Sequence, residues 1–220
     1  MKRLLLFAFV IIPVLLSMKQ EKKRTILFFG DSITQAASDE NGFISILQKE
    51  LTAKNDKSTQ LINAGIGGNK VTDLYLRFDD DVLSKNPDEV LIWIGINDVW
   101  HRENGTGTDL NKFPGFYQKM IDQLKQRNIK VILCTPGVIG ELKDNANSQD
   151  ELLNSFSDAI RKLANDNDCT LIDFRNDFQE YEIKNNSENK SSGILTTDGV
   201  HLNAQGNQFV ADIFKDVLKL

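Results

Sequence analysis

Residues 25–34 read TILFFGDSIT. The first five are rich in β-branched and aromatic side chains with no polar alternation, which describes a strand buried on both faces and so a parallel one. Gly30 and Asp31 are turn residues, and Ser32 then stands where a helix starts. Four further runs repeat the strand composition: QLIN (60–63), VLIWI (90–94), KVILC (130–134) and TLIDF (170–174). Between them lie segments of helical period. Val71, Leu74, Tyr75, Phe78 and Val82 fall on one stripe, and Leu152, Leu153, Phe156, Ile160 and Leu163 on another. Phe209, Val210, Ile213, Phe214 and Val217 form a last amphipathic helix that closes the chain. A regular alternation of strand and helix implies right-handed crossovers with helices on both faces of one sheet, so the expected fold is a single α/β domain, a three-layer α/β/α sandwich.

Two connections are longer than such a domain needs, residues 99–111 and 175–197. Both follow strands, so both are expected to rise at the carboxyl edge of the sheet, where open α/β folds bind ligands.

The start of the chain reads differently. Lys2 and Arg3 precede an apolar run over 4–16, followed by Ser17 and the polar MKQEKKR. That is the layout of a secretory signal peptide (1–17), too short for a comfortable membrane span. A mature chain is expected to begin near Met18, to be exported, and to have no stable membrane insertion; Leu15 and Ser17 at the cleavage position leave a short uncleaved anchor as the alternative. About 200 residues remain, enough for one domain over 25–220 with a proper core. The net charge of −5 becomes two units more negative once Lys2 and Arg3 are lost, and no basic cluster follows Arg24. Nucleic acid is therefore a poor partner. Cys134 and Cys169 have neither metal-ligand spacing nor the density of a disulfide framework. They belong to opposite ends of neighbouring strands, so two free thiols are expected.

Where the strands end, chemistry-bearing residues gather. Ser32 follows the first strand with backbone N–H groups around it. NAGIGGN (63–69) follows the second, its glycines permitting close backbone approach and free N–H donors. GIND (95–98) follows the third and offers the neutral amide of Asn97. Near the end of the chain, Asp198 precedes His201 by three residues, a spacing that lets one loop present a carboxylate to an imidazole. Each feature alone is an ordinary turn or cap. Together they supply a nucleophile, a base and several donors for a developing oxyanion. A rival use of the first loop is a phosphate or flavin mononucleotide site built on the hydroxyls of Ser32, Thr34 and Ser38, which the Asp31 carboxylate would oppose.

GDSIT (30–34), NAGIGGN, GIND and DGVH (198–201) resemble, in order and approximate spacing, the four sequence blocks of the SGNH hydrolases, also called GDSL esterases and lipases. The resemblance implies a flavodoxin-like fold with strand order 2-1-3-4-5. It implies Ser32 as nucleophile, His201 as base and Asp198 as the residue that orients it. The oxyanion hole would comprise the N–H groups of Ser32 and Gly68 and the side chain of Asn97, with Gly68 matching the block better than Gly65 or Gly67. Asp31, Trp100 and His101 are expected to line the substrate side, His101 ranking well below His201 as a base. Such a mechanism calls for no metal and no organic cofactor. Loops rich in Asn, Ser, Thr and Gly, with no long apolar lid, favour a small acyl group on a polar leaving group such as an acetylated sugar, with Trp100 for stacking. A lysophospholipase or general carboxylesterase, or a carbohydrate- or flavin-binding module without turnover, are the alternatives.

Overall fold

A computed structural model describes residues 22–220; the signal-peptide expectation for 1–17 lies outside them. Five strands, β1 (Arg24–Gly30), β2 (Thr59–Gly65), β3 (Glu89–Trp93), β4 (Lys130–Cys134) and β5 (Thr170–Ile172), form one sheet in the order β2-β1-β3-β4-β5. Every pairing is parallel. The helices are α1 (Ser32–Ala36), α2 (Phe43–Ala53), α3 (Val71–Asp81), α4 (Ile96–Trp100), α5 (Phe113–Gln126), α6 (Asp150–Asp166), α7 (Phe174–Asn185) and α8 (Ala204–Leu218).

The two phenylalanines of β1 show how the layers are assigned. Successive residues of a strand point to opposite faces. Phe28 packs against Phe43 of α2 and Phe214 of α8, with ring centroids 5.8 and 5.3 Å apart. Phe29 packs against Phe78 of α3 on the other face, at 6.1 Å. Trp93 extends the first cluster, its ring 4.4 Å from that of Phe174 of α7 and tilted by 31°. On the second face Phe113 of α5 meets Phe156 of α6 at 4.8 Å. The central strands β1 and β3 are buried almost throughout, whereas the edge strand β2 is only half-buried, because just one side of it has a neighbour.

Register aligns the carboxyl ends. Gly30 lies beside Gly65 on one side and Trp93 on the other, Trp93 beside Cys134, and Cys134 beside Ile172. The loops after the strands therefore open along one edge. The strand order doubles back between β2 and β3 around β1, placing Ser32 at the switch point. Both cysteines are free: Cys134 is buried inside β4, and Cys169 lies just ahead of β5.

The long connection expected over 175–197 is helical in its first half, where α7 runs, and β5 stops at Ile172 because Asp173 caps that helix. The face that α7 buries carries Phe174 and Phe178 but also Arg175 and Glu182, so no apolar period marks it in the sequence. Burying Arg175 requires an anion, and its guanidinium meets Asp150 at 2.6 Å with both side chains 2% exposed. Removing one partner of such a pair costs about 3–5 kcal/mol.

Candidate active site

Ser32 is placed by a turn that accepts only glycine at its start. A Cβ on Gly30 would sit 2.2 Å from the Thr34 hydroxyl oxygen and 2.6 Å from the Trp93 carbonyl. Asp31 then caps α1, its carboxylate accepting from the Ile33 N–H at 3.0 Å, and Ser32 becomes the first helical residue. The serine is half-buried at the carboxyl edge.

Its partner arrives from the other end of the chain. Ser32 Oγ lies 2.9 Å from His201 Nε2, and His201 Nδ1 lies 2.7 Å from Asp198 Oδ2. The carboxylate accepts a hydrogen bond from Nδ1–H, which leaves Nε2 as the acceptor for the serine hydroxyl. Asp198 Oδ1 accepts the N–H groups of Val200 and His201 at 3.0 and 2.8 Å, so the loop closes on its own aspartate. Burial alone would raise that carboxyl, but the His201 side chain and these backbone donors outweigh it and hold it below the usual carboxylate range.

The donors sort themselves by what already occupies them. Gly65 N–H donates to Asn63 Oδ1 and Gly67 N–H to Gln35 Oε1, each at 2.8 Å. Gly68, exposed and at φ +75°, is the one glycine of the block whose N–H has no acceptor among the described residues. This turn abuts the serine: a Cβ on Gly67 would lie 3.8 Å from Ser32 Cβ. Asn97 is 3% exposed and spends one amide hydrogen on the Asn69 carbonyl, at 3.0 Å, leaving the other free. Ser32 N–H, in the first turn of α1, is likewise without an acceptor among the described residues.

Trp100 stands edge-on to His201, with centroids 6.2 Å apart, and next to His101 at 6.0 Å. Both Trp100 and His101 are half-buried, and His201 is the histidine that reaches the serine. Asp31 does not line the open side. It is 2% exposed and turned inward as the cap of α1, so its expected place on the substrate wall is corrected. Of the hydroxyls in the rival phosphate reading, Ser32 Oγ meets His201, Thr34 is buried, and Ser38 Oγ accepts from Asn63 Nδ2 at 2.7 Å. Among the described residues no three His, Cys, Asp or Glu side chains are grouped to hold a metal.

Sequence reading passed over the residues that hold this edge together. Arg77 of α3 donates to Asn69 Oδ1 at 2.7 Å and to the Gly30 carbonyl at 2.9 Å, tying the turn after β1 to the loop after β2. Gln35 anchors Gly67. Neither belongs to a motif block, and a polar residue on a helix carries no periodic signal.

Three buried carboxyls give the stability an unusual pH dependence. Burial lifts Asp31 from 3.8 to about 7 against the Ile33 N–H, with Asp98 adding to the rise and His201 opposing it. Burial takes Asp98 to about 6 despite the Thr108 hydroxyl and the Val71 N–H. Glu182 reaches about 8, through burial and then the neighbouring Glu141, with Arg175 opposing. Each is raised, so between about pH 4 and 8 the folded protein holds protons that the unfolded chain has released, and stability falls as pH rises. Lowered carboxyls such as Asp56, at about 2, already contribute fully across this window. Thermal unfolding should give a higher Tm at pH 5 than at pH 8, with the difference reduced in Glu182→Gln and Asp31→Asn. A wild-type Tm that rises from pH 5 to 8 would contradict this.

Residues 28–209 match the model of the GDSL-like lipase/acylhydrolase family. The chain belongs to that family. As a GDSL-family protein it is an enzyme, an esterase or acylhydrolase, and its sheet order is the one the family resemblance implied. An acetyl xylan esterase of known crystal structure is 56% identical, with a TM-score of 0.87, covering 88% of this chain and 99% of its own. The acetylxylan esterase of Geobacillus stearothermophilus is 25% identical over 217 residues, 90% of this chain and 94% of that protein. An uncharacterized lipoprotein of Bacillus subtilis (strain 168) is also 25% identical over 217 residues, covering 87% and 88%. Among the described residues of this GDSL-family esterase, no helix is long and apolar enough to cross a membrane.

Proposed function

We propose that the protein removes acetyl groups from a carbohydrate through an acyl-enzyme on Ser32. The observation that carries this reading is the unbroken line from Ser32 Oγ to His201 Nε2 at 2.9 Å and from His201 Nδ1 to Asp198 at 2.7 Å. His201 takes the serine proton as Oγ attacks the ester carbonyl, and Asp198 stabilises the imidazolium that forms. The free N–H groups of Ser32 and Gly68 and the free amide hydrogen of Asn97 receive the negative oxygen of the tetrahedral intermediate. The protonated His201 then gives its proton to the leaving sugar hydroxyl. Water, activated by the same imidazole, releases acetate and restores the serine.

The acetyl-sugar assignment draws on the 56% identical acetyl xylan esterase and on the half-buried Trp100 beside His201. Acetylated xylo-oligosaccharides, p-nitrophenyl esters of increasing acyl length and a lysophospholipid form the test panel. The expected result is release of acetate from the oligosaccharide and a steep fall in kcat/KM from acetyl to octanoyl. Preference for octanoyl or for the lysophospholipid would overturn it. The basic and apolar residues at 1–17 and the lipoprotein relative support export. Amino-terminal sequencing of natively expressed protein should find a start near Met18; a retained 4–16 run in a membrane fraction would support the anchor.

A further inference from the structure

The loop over 135–149, between β4 and α6, holds a glutamate that no motif includes. Glu141 is 0% exposed. Its Oε1 accepts the N–H groups of Leu195 and Thr196 at 2.6 and 2.8 Å, and its Oε2 accepts that of Ile194 at 2.8 Å. Three consecutive backbone donors aimed at one buried carboxylate form an anion cradle, and the anion filling it is a side chain from elsewhere in the fold.

Asn203 grips the same three residues by their carbonyls. Its amide donates to Ile194 O and Thr196 O, both at 3.2 Å, and its N–H to Leu195 O at 3.0 Å. Backbone bonds add to the clasp: Glu141 N–H to Ser191 O at 2.9 Å and Gly140 N–H to Gly199 O at 2.8 Å.

What this clasp supports is the loop bearing Asp198 and His201. That loop has no ladder, only an isolated bridge between Thr196 and Leu202. Packing cannot hold the two functional side chains, since Asp198 is 49% and His201 37% exposed. Their positions depend on the backbone beneath. Thr196, clasped by Glu141, accepts the Gly199 N–H on its hydroxyl at 3.0 Å, and Thr197 N–H donates to His201 O at 2.8 Å. Displacing a base by about 1 Å can cost about 10²-fold in rate.

We infer that Glu141 is a positioning residue for ester hydrolysis, holding the 194–196 segment so that His201 meets Ser32 in line. This rests on the proposed roles of Asp198 and His201. Glu141→Gln keeps one oxygen for Leu195 and Thr196 but turns an NH₂ group toward the Ile194 N–H; Glu141→Ala removes the acceptor altogether. With p-nitrophenyl acetate well below each variant's Tm, kcat should fall by about 10-fold in Glu141→Gln and about 10²-fold in Glu141→Ala, with KM changed less than about threefold. The protein has two histidines, so the His201 Nδ1 proton bonded to Asp198 is assignable by NMR, and its downfield resonance should broaden or vanish in both variants. A merely stabilising Glu141 would lower Tm and leave kcat and that resonance intact, which overturns the inference. Should Glu141→Ala not fold, the isosteric Glu141→Gln decides on the same two readouts. His201→Ala separates the levels: if it stays active, the proposed role of His201 fails; if it is inactive while the Glu141 variants keep wild-type kcat, the positioning role alone fails.

Discussion

Replacing Ser32 by alanine is expected to lower kcat for acetyl-ester hydrolysis by roughly 10⁶-fold, with His201→Ala close behind. The two atoms that share a proton lie 2.9 Å apart, and each is useless without the other. Their losses should therefore not add: the double variant should be about as slow as either single one. Neither side chain belongs to the core, both being half-buried at the sheet edge, so cooperative unfolding should survive in all three variants. Steady-state kinetics beside thermal unfolding read both. Near-wild-type turnover in His201→Ala would move the base elsewhere, with His101, next to Trp100, the first suspect.

The next largest effect is expected at Asn97, and it separates catalysis from fold. Its free amide hydrogen would meet an oxygen that is fully charged only after attack, so its contribution belongs to the transition state. Asn97→Ala should lower kcat by about 10²–10³, roughly 3 to 4 kcal/mol, with a much smaller change in KM. Asn97→Asp should be at least as damaging. A carboxylate there would repel the developing oxyanion and would also face the Asn69 carbonyl, which now receives the amide at 3.0 Å. As a mere turn former, Asn97 would tolerate aspartate well. The structure gives that duty to its neighbour, since Gly95, at φ +134°, is the residue that caps α4. An active, stable Asn97→Asp enzyme would remove Asn97 from the oxyanion site.

Much of this was legible in the sequence because burial and chemistry left periodic or clustered marks. The inner strands announce themselves as apolar runs, and α3, α6 and α8 as apolar stripes, because what each buries is mostly hydrocarbon. The first half of the 175–197 connection was misread since α7 buries Arg175 and Glu182 along with its phenylalanines, and a satisfied buried charge looks like a surface residue. Asp31 was misplaced for a related reason. A carboxylate next to a serine at a ligand-binding edge suggests contact with substrate, yet its oxygen is needed by the Ile33 N–H, and capping turns it inward. The choice among three glycines could not come from composition. It depends on the side chains of Asn63, two residues back in the same block, and Gln35, from the helix after β1, which engage the other two N–H groups. Glu141 left no mark at all, because its partners are backbone atoms.

The central claim, that Ser32 is a nucleophile activated by His201, is tested most directly by covalent trapping. A fluorophosphonate carries a tetrahedral phosphorus that serine hydrolases attack but release very slowly, so the adduct persists for peptide mass spectrometry. The expected result is one adduct per chain, on the peptide containing Ser32, with activity lost in proportion to labelling and labelling slowed severely in His201→Ala. Labelling at another residue, full activity after Ser32 is modified, or an unchanged labelling rate in His201→Ala would contradict it.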